Sequence, residues 1–503
     1  MKIEVIKPKQ NIAVDLLAVG LWKDWEKTAR MISHLVDPKT NQWILNTLKK
    51  EKFKAKPGEQ KLIPLNSNRS IQNLLIVGLG EVKDCENNLR RMAATTVRSA
   101  TKIHAKEIAI EVDPILRGKS ETPYQLITEG LLLGNYSFDL YKSKDNQTPK
   151  TVTRVLLLSQ GKGSAKASKE IKTGEVLAEV TNYARDLINI PATDMTPRRM
   201  VEEAKKIGQL PRISCRILDQ NACRRLGMGS FLAVASGSKQ PPYLIHLHYR
   251  PSGRPKGRVA IVGKGITFDS GGLSIKPASG METMKDDMSG AAAVLGLMKA
   301  ISTLHLPLLE VHGIAAVTEN MPSGSADKPG DVATTMIGKT IEILNTDAEG
   351  RLTLADALPY ALRQKPDLVI DLATLTGAVI VALGDLCAGI MGTNQDLVDR
   401  LIASGQKTGE KLWQLPLIEE YKEDIKSSVA DLKNVGAKGA AGTITAGLFL
   451  REFVDEKIPW AHVDIAGTAW TEKGTALCPR GGTGFMVRTL FHFLTHYHRP
   501  KSK

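Results

Sequence analysis

Val259-Ala260-Ile261-Val262-Gly263-Lys264-Gly265-Ile266-Thr267-Phe268-Asp269-Ser270-Gly271-Gly272 is an apolar run that closes on a lysine, an aspartate and a pair of glycines. Its first four residues are aliphatic without alternation, the pattern of a strand buried on both faces. Downstream the period changes to that of a helix over 290–302, returns to a buried strand over 308–317, and repeats as a helix over 352–363 and a strand at Leu368-Val369-Ile370-Asp371-Leu372. Strands alternating with helices predict an α/β/α unit with a mainly parallel central sheet. In such sheets the ligand crevice lies beyond the carboxyl ends of the strands. Asp269 follows the strand expected to end at Val262, and Asp286-Asp287 opens the next helix. Asn345-Thr346-Asp347-Ala348-Glu349-Gly350-Arg351-Leu352 follows the strand-like Thr340-Ile341-Glu342-Ile343-Leu344.

Upstream, Leu74-Leu75-Ile76-Val77-Gly78-Leu79-Gly80, Glu107-Ile108-Ala109-Ile110-Glu111-Val112 and Arg154-Val155-Leu156-Leu157-Leu158 are also buried-strand runs. They predict a smaller N-terminal α/β domain over residues 1–170, with the larger catalytic domain over 171–503. A chain of 503 residues exceeds what one core normally serves. The Gly-, Ser-, Ala- and Lys-rich tract 159–170 reads as the linker, leading into a helix over 174–188. Gly78-Leu79-Gly80 lacks the third glycine of a dinucleotide fingerprint, and Gly161-Lys162-Gly163-Ser164 lacks the spacing of a P-loop.

The charge is uneven. Residues 1–170 hold 29 Lys and Arg against 18 Asp and Glu, whereas 171–503 hold 39 against 35. A basic surplus draws polyanions such as DNA, but no basic block or aromatic stripe accompanies it, so dispersed solubilising lysines are the preferred reading. No run reaches the roughly 18 apolar residues of a membrane helix, and the start lacks a signal-peptide layout. The five cysteines form no CxxC pair. These features predict a cytoplasmic protein with no membrane association and buried, inert thiols.

Four carboxylates, Asp269, Asp287, Asp347 and Glu349, are expected to converge with Lys264, Lys276 and Arg351. Two divalent ions held close together need bridging carboxylates, and four acids would balance their four charges. Left without cations, such acids would raise one another's pKa. Taken singly each has a structural reading, and Asp287, ahead of Met288-Ser289-Gly290, has that of a helix cap. HExxH and GxSxG are absent, and the ten histidines do not cluster along the sequence. His312 and His462, inside strand-like runs, read as satisfied core histidines. A dimetal phosphatase shares the carboxylates and stays open at this point.

The runs quoted above, with Ser274-Ile275-Lys276-Pro277, Asn182-Tyr183-Ala184-Arg185-Asp186-Leu187-Ile188-Asn189-Ile190-Pro191, Met284-Lys285-Asp286-Asp287-Met288, Glu319-Asn320-Met321-Pro322, Asp371-Leu372-Ala373-Thr374-Leu375-Thr376-Gly377-Ala378 and His462-Val463-Asp464-Ile465-Ala466-Gly467-Thr468, resemble the leucyl (cytosol) aminopeptidase family. Asn345 to Leu352 matches that family's signature octapeptide. The resemblance covers roughly residues 175–490 and implies a metal-dependent exopeptidase acting on peptides with apolar N-terminal residues such as leucine. It implies two divalent ions, Mn or Zn, on Lys264, Asp269, Asp287, Asp347 and Glu349, with Lys276 stabilising the oxyanion and Arg351 holding a bicarbonate that acts as general base. Met284, Thr374, Gly377 and Ala466 map to the pocket for the N-terminal side chain. The family forms hexamers of two stacked trimers, and some bacterial relatives bind DNA.

Overall fold

The computed structural model describes residues 1–8, 12–28, 32–65, 70–118, 120–160 and 165–499. Its contacts divide the chain into two compact units, Met1–Glu179 with Lys473–Arg480, and Val180–Glu472 with Gly481–Lys503. The division falls inside a single helix, Ala165–Asn189. The tract expected to be a linker is therefore helical from Ala165 onward, as its Ala and Lys content favours. Gly161-Lys162-Gly163-Ser164 lie outside the described residues.

The first unit is built on six strands: β1 (Lys2–Ile6), β2 (Val14–Trp22), β3 (Gln60–Pro64), β4 (Ile71–Gly80), β5 (Glu107–Glu111) and β6 (Arg154–Leu158). Their order is β1-β6-β5-β2-β4-β3, and only β3 runs antiparallel to its neighbour. Side chains alternate between two cores. Leu75 and Val77 join Leu16, Ala18, Ile108 and Ile110 on one face, and Leu74 and Ile76 join Leu17, Val19 and Ala109 on the other. Burial of both faces is why these strands are continuously apolar, each enclosed aliphatic contributing about 1.5–3 kcal/mol.

The second unit carries β7 (Ile213–Leu218), β8 (Tyr243–Tyr249), β9 (Gly257–Asp269), β10 (Leu309–Asn320), β11 (Asp331–Thr334), β12 (Thr340–Ile343), β13 (Leu368–Ala373), β14 (Cys387–Gly392), β15 (Lys411–Gln414), β16 (Leu432–Lys433) and β17 (Trp460–Asp464). Eight of them form one sheet in the order β15-β14-β17-β13-β9-β10-β8-β7. Its centre, β17-β13-β9-β10, is parallel. Antiparallel pairs flank it on both sides. On one face Val262, Ile266, Ile314 and Ala316 pack with Leu352, Leu354, Ala355 and Leu358 of the helix Glu349–Leu362. Residues of opposite parity, Gly263 and Gly313, meet Gly290, Val294 and Met298 of the helix Ser289–Thr303. That helix is apolar all round because it is enclosed all round.

Two expectations need correcting. β9 continues through Gly263 to Asp269 instead of ending at Val262, so Asp269 is a strand residue. The strand before Asn345 is not part of the central sheet, because β12 pairs with β11 and β16 in a separate three-stranded sheet. Among the described residues no helix is long and apolar enough to cross a membrane.

Candidate active site

Lys264 and Asp269 are five residues apart on β9, an odd spacing that in a regular strand puts side chains on opposite faces. The register against β10 slips between the pairs Ile266↔Thr318 and Asp269↔Asn320, so β9 carries one residue more than its neighbour there. The slip reverses the alternation and returns Asp269 to the side of Lys264. Both then face Glu349: Lys264 Nζ lies 2.8 Å from its Oε1, and oxygens of Asp269, Asp347 and Glu349 lie within 4.8 Å of one another.

Lys264 Nζ also donates to Asp287 Oδ1 and to the Thr374 carbonyl, each at 2.8 Å. Lys276 Nζ spans Asp269 Oδ2 at 2.8 Å and Asp347 Oδ1 at 2.5 Å. Each ammonium thus sits between two carboxylates. Gly350 makes room for the first, since a Cβ there would stand 2.5 Å from Lys264 Cε and 2.7 Å from Nζ. Gly271, at φ +88°, turns the chain after β9 so that Lys276 folds back over the strand end, its amide donating to Ser270 O at 2.9 Å.

The turn bearing Asp347 is fastened from two sides. Thr346 Oγ1 donates to Gly271 O at 2.6 Å and accepts from Ser274 N at 2.8 Å. Asn320 Nδ2 donates to Thr346 O at 3.0 Å and to Asp269 Oδ1 at 2.8 Å. Asn434 accepts from Leu344 N at 2.9 Å through Oδ1 and donates to Asn345 O at 2.6 Å through Nδ2. Its own carbonyl accepts from Arg351 Nη1 at 2.8 Å.

Asp287 is not a helix cap. The cap position of Ser289–Thr303 is Met288, and the Asp287 carboxylate instead accepts from Thr374 Oγ1 at 2.7 Å. Burial and the neighbouring charges of Glu349 and Asp269 push its pKa well up despite Lys264. Burial and Asp269 do the same to Glu349. Burial opposes charge on Lys264, yet the attraction of Asp287, Glu349 and Asp269 outweighs it and holds the ammonium more firmly than usual. Lys276 is held charged in the same way, chiefly by Asp269. Four carboxylates, Asp347 partly exposed and the other three buried, against two lysines leave a centre that favours further positive charge.

Residues 182–491 match the cytosol aminopeptidase family's catalytic domain, and residues 18–145 match its N-terminal domain. The chain belongs to the cytosol aminopeptidase family. It is 44% identical over 490 residues to a probable cytosol aminopeptidase of Sulfurihydrogenibium sp. (strain YO3AOP1), covering 97% of this chain and 96% of the relative. It is likewise 44% identical to a probable cytosol aminopeptidase of Gloeobacter violaceus, covering 95% and 96%. Among solved structures, a mutant of tomato leucine aminopeptidase superposes with a TM-score of 0.89 at 36% identity, covering 99% of this chain and 97% of that one. The bottromycin maturation enzyme BotP in complex with Mn superposes at 0.82 with 34% identity, covering 96% and 99%. The protein is a metal-dependent aminopeptidase, a hydrolase acting as an exopeptidase.

In the aminopeptidase the donor set fits metal. Asp287 Oδ2 and Glu349 Oε2 are buried without a hydrogen-bond partner, a costly state for carboxylate oxygens unless a cation meets them. Oxygen donors with one amine suit hard or borderline divalent ions. Arg351 is 8% exposed, and its Nε has no hydrogen-bond partner. Burial lowers its pKa to about 10 against the pull of Glu349 and Asp464. Asp464, at the end of β17, accepts from Leu375 N at 3.1 Å and Ala466 N at 3.2 Å and from Thr376 Oγ1 at 2.6 Å. It thereby ties the turn after β13 to the turn after β17. Thr374 and Ala466 lie on these turns, Gly377 opens the helix Gly377–Leu383 with open space above it, and Met284 is half-buried in a short turn before Asp287. Asn434 and Asp464 were not singled out as site residues. Asp464 lay inside a family run, whereas Asn434 had no signal at all. Of the thiols expected to be buried, Cys85, Cys223 and Cys478 are, whereas Cys215 and Cys387 are partly exposed; burial still pushes the Cys387 thiol up, which disfavours the thiolate a nucleophile needs.

Proposed function

We propose that the aminopeptidase removes N-terminal residues, leucine and other apolar ones preferred, at a centre of two divalent metal ions, Mn or Zn. The observation that carries this reading is the set of carboxylates whose oxygens lie within 4.8 Å of one another, beside the unpartnered oxygens of Asp287 and Glu349. Lys264, Asp269, Asp287, Asp347 and Glu349 would hold the ions. When bound, such ions polarise the scissile carbonyl and make a shared water acidic enough to attack it. Lys264 serves as ligand only as the neutral amine, so loading expels its proton.

Lys276 stays charged, and its side chain, 16% exposed, is the more open of the two lysines. It donates to the oxyanion of the tetrahedral intermediate, where a fixed positive charge stabilises the transition state more than the substrate. Arg351, one nitrogen tied to Asn434 O and Nε free of hydrogen bonds, holds bicarbonate on its planar fork and so places a proton acceptor beside the carboxylates. Met284, Thr374, Gly377 and Ala466 form the pocket for the N-terminal side chain, small or apolar residues that suit leucine. We assign residues 1–170 and 171–503 as N-terminal and catalytic domains, the cytoplasm as the location, and a homohexamer as the assembly, the last by family resemblance. The basic surplus of residues 1–170 supports an electrostatic attraction for DNA, which a salt titration of the full chain against duplex DNA tests.

The deciding assay is release of p-nitroaniline from leucine p-nitroanilide with Mn2+ present, repeated after chelation and across a panel of aminoacyl amides. Activity that needs the metal and favours apolar residues is expected. Activity that survives complete chelation sinks the reading.

A further inference from the structure

Three of the ten histidines, His246, His248 and His312, converge in space. His248 of β8 and His312 of β10 are direct cross-strand partners in an antiparallel pair, and their rings stack at 4.2 Å. His246 and Glu310, two residues along from each, share their face by the two-residue period of a strand. This is the other end of β10 from Asn320, eight residues and about 26 Å from the strand end that supports Asp269.

His312 is 3% exposed. Its Nδ1 meets His246 Nε2 at 2.9 Å, and His246 Nδ1 meets Tyr360 Oη at 3.1 Å. Its Nε2 has no hydrogen-bond partner and lies 3.5 Å from Glu310 Oε1. That oxygen also meets His248 Nε2 at 2.6 Å, while Arg258 Nε holds the other Glu310 oxygen at 2.9 Å. Two proton assignments satisfy the ring contacts: with Tyr360 Oη donating, His312 carries its proton on Nε2 toward Glu310, and with His312 Nδ1–H donating to His246 and His246 Nδ1–H donating to Tyr360, His312 Nε2 presents a lone pair that a cation shared with Glu310 would meet. The second is also the arrangement of a metal-bound imidazole whose second nitrogen is held from behind. Burial, with neighbouring His and Arg charges adding to it, lowers His312 to about 3 and His246 to about 4 and lowers His248 as well, which favours the neutral rings that ligands must be.

We propose that His248, Glu310 and His312 form a second metal site that takes one borderline transition ion of the Zn2+, Co2+ or Ni2+ class, with His246 and Tyr360 as positioning residues behind His312. One ring nitrogen of each histidine and an oxygen of Glu310 already lie within 4.8 Å of one another. Ligands about 2.0–2.1 Å from a tetrahedral ion stand about 3.4 Å apart, close to the 3.5 Å between His312 and Glu310. Because the two ring planes lie only 14° apart in the stack, their in-plane lone pairs do not meet at one point as they stand, so loading requires the half-buried His248 ring to turn out of the stack and release its hydrogen bond to Glu310. The site differs in preference from the carboxylate centre, because imidazole favours Zn, Co and Ni over Mn and Mg. Side chains of His248 and Glu310 are 13% and 12% exposed, so the site is reached from solvent.

The test is Co2+ binding to the full-length protein, with bound metal counted by elemental analysis after dialysis and coordination read from the visible absorption. The unaltered protein is expected to hold one Co2+ per chain more than His248→Ala, and the variant to lose the corresponding four-coordinate absorption. His312→Leu is the second variant, and His248→Ala, at a partly open position, decides alone if the buried change does not fold. Tyr360→Phe is expected to keep the stoichiometry and weaken Co2+ binding about 10-fold. Equal Co2+ content in the unaltered protein and His248→Ala overturns the site, and undiminished affinity in Tyr360→Phe overturns the positioning role.

Discussion

The two ends of β10 carry two polar clusters built on opposite terms. At its carboxyl end Asn320 steadies Asp269 among four carboxylates and two ammonium groups. Near its start, imidazoles whose pKa burial lowers stack on each other beside one carboxylate whose charge Arg258 already meets. The first cluster answers burial by holding every positive charge it can. The second answers burial by discharging its rings. Glu111 of the N-terminal unit is a third case, an enclosed acid that accepts from Ser33 Oγ. Burial pushes its pKa up to about 7, and Asp113 adds to the rise. Enclosed acids therefore take whatever positive charge is nearest, and with no cation at hand they keep their proton.

The largest expected effect comes from removing a carboxylate at the first cluster. Glu349→Ala is expected to cut kcat/KM for leucine p-nitroanilide by more than about 100-fold, since groups merely supporting metal ligands are worth 10- to 100-fold. Near-normal activity in a folded variant would break the contrast at its charged end. Lys276→Ala is expected to lower kcat about 100- to 1000-fold with a smaller change in KM. A change confined to KM would make it a binding group instead. Gly350→Ala is expected to keep the fold, by circular dichroism, and to lose about 10-fold or more in kcat/KM, because its Cβ would press on Lys264.

The smallest effect is on stability. Glu111, raised in the folded state from 4.5 to about 7, binds its proton more tightly folded than unfolded. Its contribution is full below pH 4.5 and is lost as pH rises through about 7. Glu111→Gln removes that loss, so melting curves at pH 5 and pH 8 are expected to show a difference in pH sensitivity worth about 2–3 kcal/mol. Parallel behaviour of the two proteins would separate Glu111 from the comparison.

The carboxylate centre was legible because each acid lies at or next to the end of an apolar run, and buried parallel strands announce themselves by that run. Less could be read where pairing is non-local. The small β11-β12-β16 sheet gave no hint that Asp347 arrives from outside the central sheet, and Asn434 acts through a neighbour some ninety residues away in sequence. The imidazole cluster stayed hidden for the same reason. His246 and His248 show the two-residue period, as do Glu310 and His312, but only the β8–β10 register brings the pairs together. β9 runs on past Val262 through Gly263 and Gly265 to Asp269. These two are glycines for closeness, Gly263 against Gly290 O and Gly265 against Ala316 O.

The extra residue of β9 opposite Thr318–Asn320 acts as a phase shift along the strand. Loss or gain of a single codon between Lys264 and Asp269 would turn the aspartate to the wrong side of the sheet, and a change of two would restore the side but carry it about 6.6 Å along the strand, out of the cluster it forms with Asp347 and Glu349. Length variation here is therefore restricted by parity and by size together, and homologous genes should keep this interval at its length.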